Sequence, residues 1–493
     1  MTLKELGPDL YRENAFRITG LPVRATARDI RRHADKQRLL KTLGKAGTND
    51  GMLPPGRPFD EGAGQRAAQR LKDPVARLVD ELFWPWPISD DGTDDGTDEG
   101  MAALVEGRPH DALRVWERTA APAARTVAVH NIAVLSHVRA LDADGLDEET
   151  ARLWKRAYTS WAEVIADDAF WDLMRARAKE LDDPRLSAAT VRALREELPS
   201  ALLSISAQLA ATAARESRSG EARGHIGGML ASGFASGLID LALRDAVEHE
   251  RARIKSLCEN AQQGLKADPG QGYEAAERFL GEAGPLLDVI TGLLPEDDWA
   301  VRHAGEDIAL TVLYCVVAQV NKTKEYRRAL ELLEPALDLA ATESARDRIQ
   351  GNIDTIRDNL SYACCFLCGK DAEDGCEQKV PMHGEVNREL TEYFQTRITW
   401  RTLTISVPRC RGCRTRRGWR IATGVLFVPW AVFTLIAVVA GAAEAGAVLV
   451  AIGILMAGWL IAGTRRSVTE FGPILDLVEK GWARGARPPE ARS

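Results

Sequence analysis

From residue 101 to residue 360 apolar side chains recur every three or four positions, which predicts a succession of amphipathic helices with few strands. The N-terminal stretch shows the same period twice. Ile30, Ala34, Gln37 and Leu40 mark a helix from about Ala27 to Leu43, and Ala67, Leu71, Val75, Leu78 and Leu82 mark a second from about Asp60 to Phe83. Pro74 falls near the middle of the second and is expected to bend or restart it. The period changes to two between Tyr393 and Val407, where Ile398, Trp400, Leu403, Ile405 and Val407 alternate with polar residues and predict a strand. Two runs near the C-terminus, Ile421 to Ala440 and Ala445 to Gly463, carry no charge at all. Ser467 to Lys480 is amphipathic again, broken at Gly472-Pro473. The pattern describes a mainly α chain with one small β element.

Charge changes this picture little. The 493 residues hold 64 Lys and Arg against 71 Asp and Glu, a net charge of −7, with 27% charged and 45% hydrophobic residues. That balance excludes a wholly disordered or collagen-like chain and argues against a dedicated nucleic-acid binder. Asp90 to Gly100 carries six acids without the spacing of a calcium loop, and is expected to be a solvated linker.

The two uncharged runs are long enough to cross about 30 Å of hydrocarbon as helices. With Glu444 in the turn between them they predict a transmembrane hairpin. Arg414, Arg416, Arg417 and Arg420 precede it and Arg465 and Arg466 follow it, so both outer ends are expected on the cytoplasmic side. High Ala and Arg usage suggests a bacterial source. The sequence therefore predicts a multi-pass protein of the bacterial inner membrane with cytoplasmic termini, touching the bilayer and able to form a homo-oligomer through the hairpin's small residues.

Six of the eight cysteines fall between Cys364 and Cys413. Cys365 and Cys368 form one C-x-x-C pair, Cys410 and Cys413 another, with 41 residues between. Two thiolates at i and i+3 in a tight turn can share one tetrahedral ion, so the pairs predict a closed four-cysteine zinc site of structural type. Strand between knuckles is the layout of a zinc ribbon, with an insertion expected at Asp371 to Arg388. Cys364, Cys376 and His383 are alternative ligands that a closed site does not need.

Phe16, Gly20-Leu21-Pro22, Ala25-Thr26 and Ile30, followed by Ala67-Ala68, Leu71, Asp73-Pro74, Arg77 and Asp80, resemble the J-domain of Hsp40 co-chaperones over about 75 residues. The resemblance implies a small helical module that docks an Hsp70-type chaperone, with Asp73, Pro74 and Arg77 as docking candidates. The family stimulates its chaperone through a His-Pro-Asp loop, and the corresponding loop here, Gly44 to Pro58, contains no His. Gly107 to Trp116 with His130 to Leu135, and Tyr326 to Leu337, resemble fragments of tetratricopeptide repeats, which implies helix pairs that hold protein partners. Trp154, Trp161, Phe170 and Trp171 are expected core, as are His130 and His137.

The expected order is a J-domain-like module (1–88), an acidic linker (89–100), a helical repeat-like domain (101–360), a zinc ribbon (361–418), a membrane hairpin (419–466) and a cytoplasmic amphipathic tail (467–493). No nucleophile or open metal site emerges, so the sequence predicts a non-enzymatic, membrane-anchored adaptor, co-chaperone-like, that binds protein partners. Two alternatives remain: a structural scaffold with no chaperone role, and a hydrolase assembled from scattered acids such as Glu163, Asp167 and Asp168.

Overall fold

The computed structural model describes residues 3–42, 52–54, 59, 62–88, 98–390, 396–415, 432 and 467–489. It is mainly helical with a small three-stranded sheet. The chain divides into two compact units, Met1–Ala267 with Glu277–Thr311, and Asp268–Ala276 with Val312–Ser493.

The first unit begins with a short helix, α1 (Ala15–Thr19), which the periodicity did not mark. Asn14 starts it by accepting from the N–H groups of Phe16 and Arg17, and Gly20, at φ 68°, ends it. The helix α2 (Ala27–Thr42) opens on a reciprocal cap: the Asp29 N–H donates to Thr26 Oγ1 at 3.2 Å and the Thr26 N–H donates to Asp29 Oδ2 at 2.9 Å. The expected second helix is two, α3 (Ala63–Arg70) and α4 (Pro74–Leu82). Proline costs nothing in a first turn, and Asp73 caps α4 by accepting from the Val75 N–H at 3.1 Å.

Then follow α5 (Glu99–Val105), α6 (Pro109–Arg118), α7 (Pro122–Asp142), α8 (Glu148–Ala166), α9 (Asp168–Glu180), α10 (Ala188–Arg215), α11 (Ser219–Leu230), α12 (Ser236–Ala246) and α13 (Glu248–Ala267). The helices α14 (Gly272–Leu293) and α15 (Trp299–Thr323) contain the boundary between the units.

Described residues of the N-terminal stretch pack into the same aromatic core as α7 to α9. Tyr11 lies edge-on to Phe83 and His137, Phe83 packs on Trp161, and Trp86 packs on His130 and Phe170. Asn131 fixes the approach, accepting from the Trp86 N–H at 2.8 Å and donating to its carbonyl at 2.7 Å. Each fully buried aromatic contributes roughly 1.5–3 kcal/mol by area alone, so these contacts hold the N-terminal stretch to the helices that follow. Trp154, Trp161, Phe170 and Trp171 are all buried, as expected.

In the second unit α16 (Tyr326–Leu339) and α17 (Glu343–Ala363) form a hairpin across a three-residue turn, capped by Thr342. The strands β1 (Gln378–Leu390) and β2 (Thr396–Val407) pair antiparallel, Gln378 opposite Val407 and Leu390 opposite Thr396, with a register shift between Gly384 and Asn387. Most of the expected insertion is therefore β1 itself. The tail is also different from expectation: the helix α18 (Gly472–Glu479) covers the sheet, and β3 (Ala483–Arg484) pairs with Met382 and His383. Val380, Met382, Val407, Phe471 and Ile474 make the core between them. A Cβ on Gly384 would lie 2.4 Å from the Trp482 ring, so only glycine admits that indole.

The placement in a membrane is corrected. Among the described residues no helix is long and apolar enough to cross a bilayer, which conflicts with a multi-pass inner-membrane protein. Apart from Val432, the two uncharged runs lie outside the described residues, as do the homo-oligomer contact assigned to them, Arg416, Arg417, Arg420, Arg465, Arg466 and positions 89–97 of the acidic linker. The described part of the amphipathic tail packs on the sheet through Phe471 and Ile474 and joins it through β3.

Candidate metal centre

The end of α17 delivers the first knuckle. Cys364 terminates the helix and forms a bridge with Asp371, which folds the chain back on itself. Inside that fold the Cys365 N–H donates to the Lys370 carbonyl at 2.6 Å and the Gly369 N–H to the Cys365 carbonyl at 2.8 Å. Gly369 sits at φ 73°, a conformation that a side chain disfavours, so the turn that brings Cys368 toward Cys365 depends on it.

The second knuckle follows β2 directly. The Phe366 N–H donates to the Pro408 carbonyl at 3.0 Å and the Glu373 N–H to the Arg409 carbonyl at 3.0 Å, so the two loops are stitched together by backbone. The Glu373 carboxylate then accepts from the Arg411 N–H at 3.2 Å. Arg414 donates to the Gly375 carbonyl, which places this one described residue of the basic flank in the knuckle. From α16, Arg327 donates to the Gly369 carbonyl at 3.0 Å. Phe471 of the tail packs edge-on against Tyr362 and Phe366, closing the apolar side.

These contacts bring Cys365, Cys368, Cys410 and Cys413 together, with all four sulfur atoms within 4.8 Å of one another. The Sγ atoms of Cys368 and Cys410 are 3.6 Å apart. Burial raises the Cys365 thiol, but the N–H groups of Cys410, Cys368 and Leu367 outweigh it and bring the group down to about 7. Cys368 and Cys413 are pushed up, first by burial, and Cys413 further by its three thiol neighbours. Thiols this close hinder one another's ionisation, and a cation among them would relieve that.

Cys364, Cys376 and His383 do not join this group. Cys376 is buried in the loop beyond the knuckle, and His383 Nδ1 lies 3.0 Å from the Gly485 carbonyl of the returning tail.

The docking candidates are placed in the first unit. Arg77 is turned inward: its Nε donates to Glu81 at 2.8 Å, and its Nη2 donates to the carbonyls of Val23 and Ala25 at 2.9 and 2.7 Å. Pro74 opens α4, and Asp73, which caps it, also pairs with Arg185 at 3.1 Å. Glu81, fully buried, is held from the other side by Arg177 at 2.7 and 2.9 Å. This burial was not legible beforehand, because Arg77 and Glu81 at i and i+4 have the spacing of an ordinary surface pair.

The acids considered for a hydrolase each have a different partner. Thr126 donates to Asp167 at 2.8 Å, Asp168 pairs with Arg195 at 2.6 Å, and Glu163 with Arg125 at 3.6 Å. The buried imidazoles sit in the aromatic core. Burial holds His130 down to about 4 and His137 to about 3, and His130 Nε2 donates to the Leu82 carbonyl at 2.7 Å.

Three comparisons bear on identity: no family model matches the chain, and neither a curated protein nor a solved structure matches it, so the likenesses to a J-domain and to tetratricopeptide repeats rest on the sequence alone.

Proposed function

We propose that the chain is a protein-binding adaptor whose second unit is held together by one structural zinc ion. The observation that carries the reading is the all-sulfur cluster. With Zn–S bonds of about 2.3 Å, tetrahedral coordination places sulfurs about 3.8 Å apart, close to the spacing found here. Four thiolates fill every position, so the ion would clamp α17, β1, β2 and the returning tail without activating water. Soft donors without oxygen favour zinc over magnesium or calcium.

The adaptor part draws on helix pairs. The hairpins α6–α7 and α16–α17 have three-residue turns and small residues at their contacts, Ala112 and Ala133 in one, Ala329 and Ala336 in the other, all buried. Such pairs leave long outer faces for a partner. A co-chaperone role is the weaker form of the reading, because the His-Pro-Asp tripeptide is missing and the Arg77 guanidinium is engaged internally at Nε and Nη2.

The test is metal analysis of the purified full chain, joined to in-cell crosslinking with the wild type and with Cys365→Ser/Cys410→Ser. One zinc per chain, and a protein partner recovered by the wild type but not by an unrelated control, are expected. A chain without zinc ends the structural-ion reading, and crosslinking that finds no protein beyond the control ends the adaptor reading.

A further inference from the structure

A cavity of about 520 Å3 opens in the first unit where the start of α2, the turn between α3 and α4, and the end of α9 meet. Its polar wall is nearly all cationic. Arg24, Arg31, Lys72, Arg77 and Arg177 line it, against the single carboxylate of Glu180.

These cations differ in what holds them. Arg77 and Arg177 are anchored on Glu81, and Arg177 Nη1 also reaches Glu180 at 2.8 Å. Arg77 Nη1 has no acceptor among the described residues. Arg24, Arg31 and Lys72 are exposed and form no ion pair among the described residues. Two other carboxylates on these elements are engaged elsewhere, Asp29 in capping α2 and Asp73 in capping α4 and pairing with Arg185. With Arg77 and Arg177 paired to Glu81 and Glu180, the three cations Arg24, Arg31 and Lys72 leave the concave space with an excess of positive charge that an anion or solvent must screen.

From this geometry we infer that the cavity binds a small soluble molecule carrying phosphate groups. Arginine forks and a lysine point charge are the groups that recognise phosphate oxygens. The volume is that of a small-ligand cleft. The apolar wall is aliphatic, Ile30 and Leu71 among it, and none of the lining residues is aromatic, so nothing stacks on a nucleobase. The chain's net charge of −7 disfavours a long polyanion, whose charges extend beyond the local patch. Another cavity, lined by Arg175, Lys179, Asp182 and Asp183, balances its charges and serves as an internal control.

The experiment is calorimetric titration of the full chain with inorganic pyrophosphate at near-physiological salt. Saturable one-site binding is expected, weakened about tenfold or more by Arg24→Ala/Lys72→Ala and unchanged by Arg175→Ala/Lys179→Ala. All four side chains are removable without opening a core, and circular dichroism verifies that each variant is folded. The inference is overturned by absence of saturable binding to the wild type, by binding that survives the first double substitution, or by equal loss in both variants, which would indicate diffuse attraction.

Discussion

The two units reach stability by different means. The first interleaves the aromatic side chains of Tyr11, Phe83 and Trp86 with rings of α7, α8 and α9, and among the described residues its buried charges are paired, as in Arg77–Glu81–Arg177. The sheet region of the second has five buried apolar residues in its core, Val380, Met382, Val407, Phe471 and Ile474. A core that small does not sustain a fold alone, and small domains of this kind rely on a metal or a crosslink. On the zinc reading proposed above, four sulfurs and an ion would take the place of the area that the first unit buries.

The sharpest way to break the comparison is to remove the ion. Structural zinc contributes on the order of 10 kcal/mol or more to its domain. A strong chelator, or Cys410→Ser, is therefore expected to abolish amide protection in β1 and β2 while α7 to α10 stay protected, as read by hydrogen exchange. Equal loss in both units would mean that the clamp supports the whole chain. No loss in either would mean that the sulfurs are not ligands.

The next largest effect belongs to the first unit. Glu81→Ala leaves two guanidinium groups facing each other in a buried space, and breaking a buried pair in this way costs about 3–5 kcal/mol. Denaturant unfolding is expected to show that loss in the transition of the first unit only. Glu81→Gln, which keeps one acceptor oxygen but not the charge, should recover part of it; full recovery would show that a single acceptor, not charge, is what Arg77 and Arg177 require.

How much of this was visible in the sequence follows the same division between local and distant. The helix from Ala27, the restart at Pro74 and the two C-x-x-C turns are decided by residues a few positions apart, and each was legible. The return of the tail was not, because β3 is two residues long and its partners, Met382 and His383, lie a hundred positions upstream. The short α1 also escaped, since five residues carry no period and its boundaries depend on Asn14 and Gly20. Two uncharged runs gave the strongest compositional signal, yet the described structure offers no spanning helix, and apolar content alone did not place the chain. The four-cysteine cluster was legible as a group, whereas the contacts that steady it, from Glu373 and Arg327, come from loop and helix positions with no pattern.

Mild acid gives the smallest and most selective test. His130 and His137 are neutral in the folded core, with values of about 4 and about 3 against 6.5 for a free imidazole, burial being the leading cause in both. Below pH 6.5 the unfolded chain takes up protons on both rings while the folded chain does not, so stability falls as pH falls and continues to fall toward pH 4. Asp80 acts in the opposite direction: burial, partly offset by Arg70, raises it to about 6, so the folded state binds its proton first and gains as the pH drops from 6 toward 4. Two imidazoles outweigh one carboxyl, and a net loss of about 2–3 kcal/mol is expected between pH 6.5 and 5. Thermal unfolding followed across that range should show the transition of the first unit moving down. His137→Gln should flatten the slope by removing one of the two linked protons, and an unchanged slope would mean that the ring is not the group being titrated.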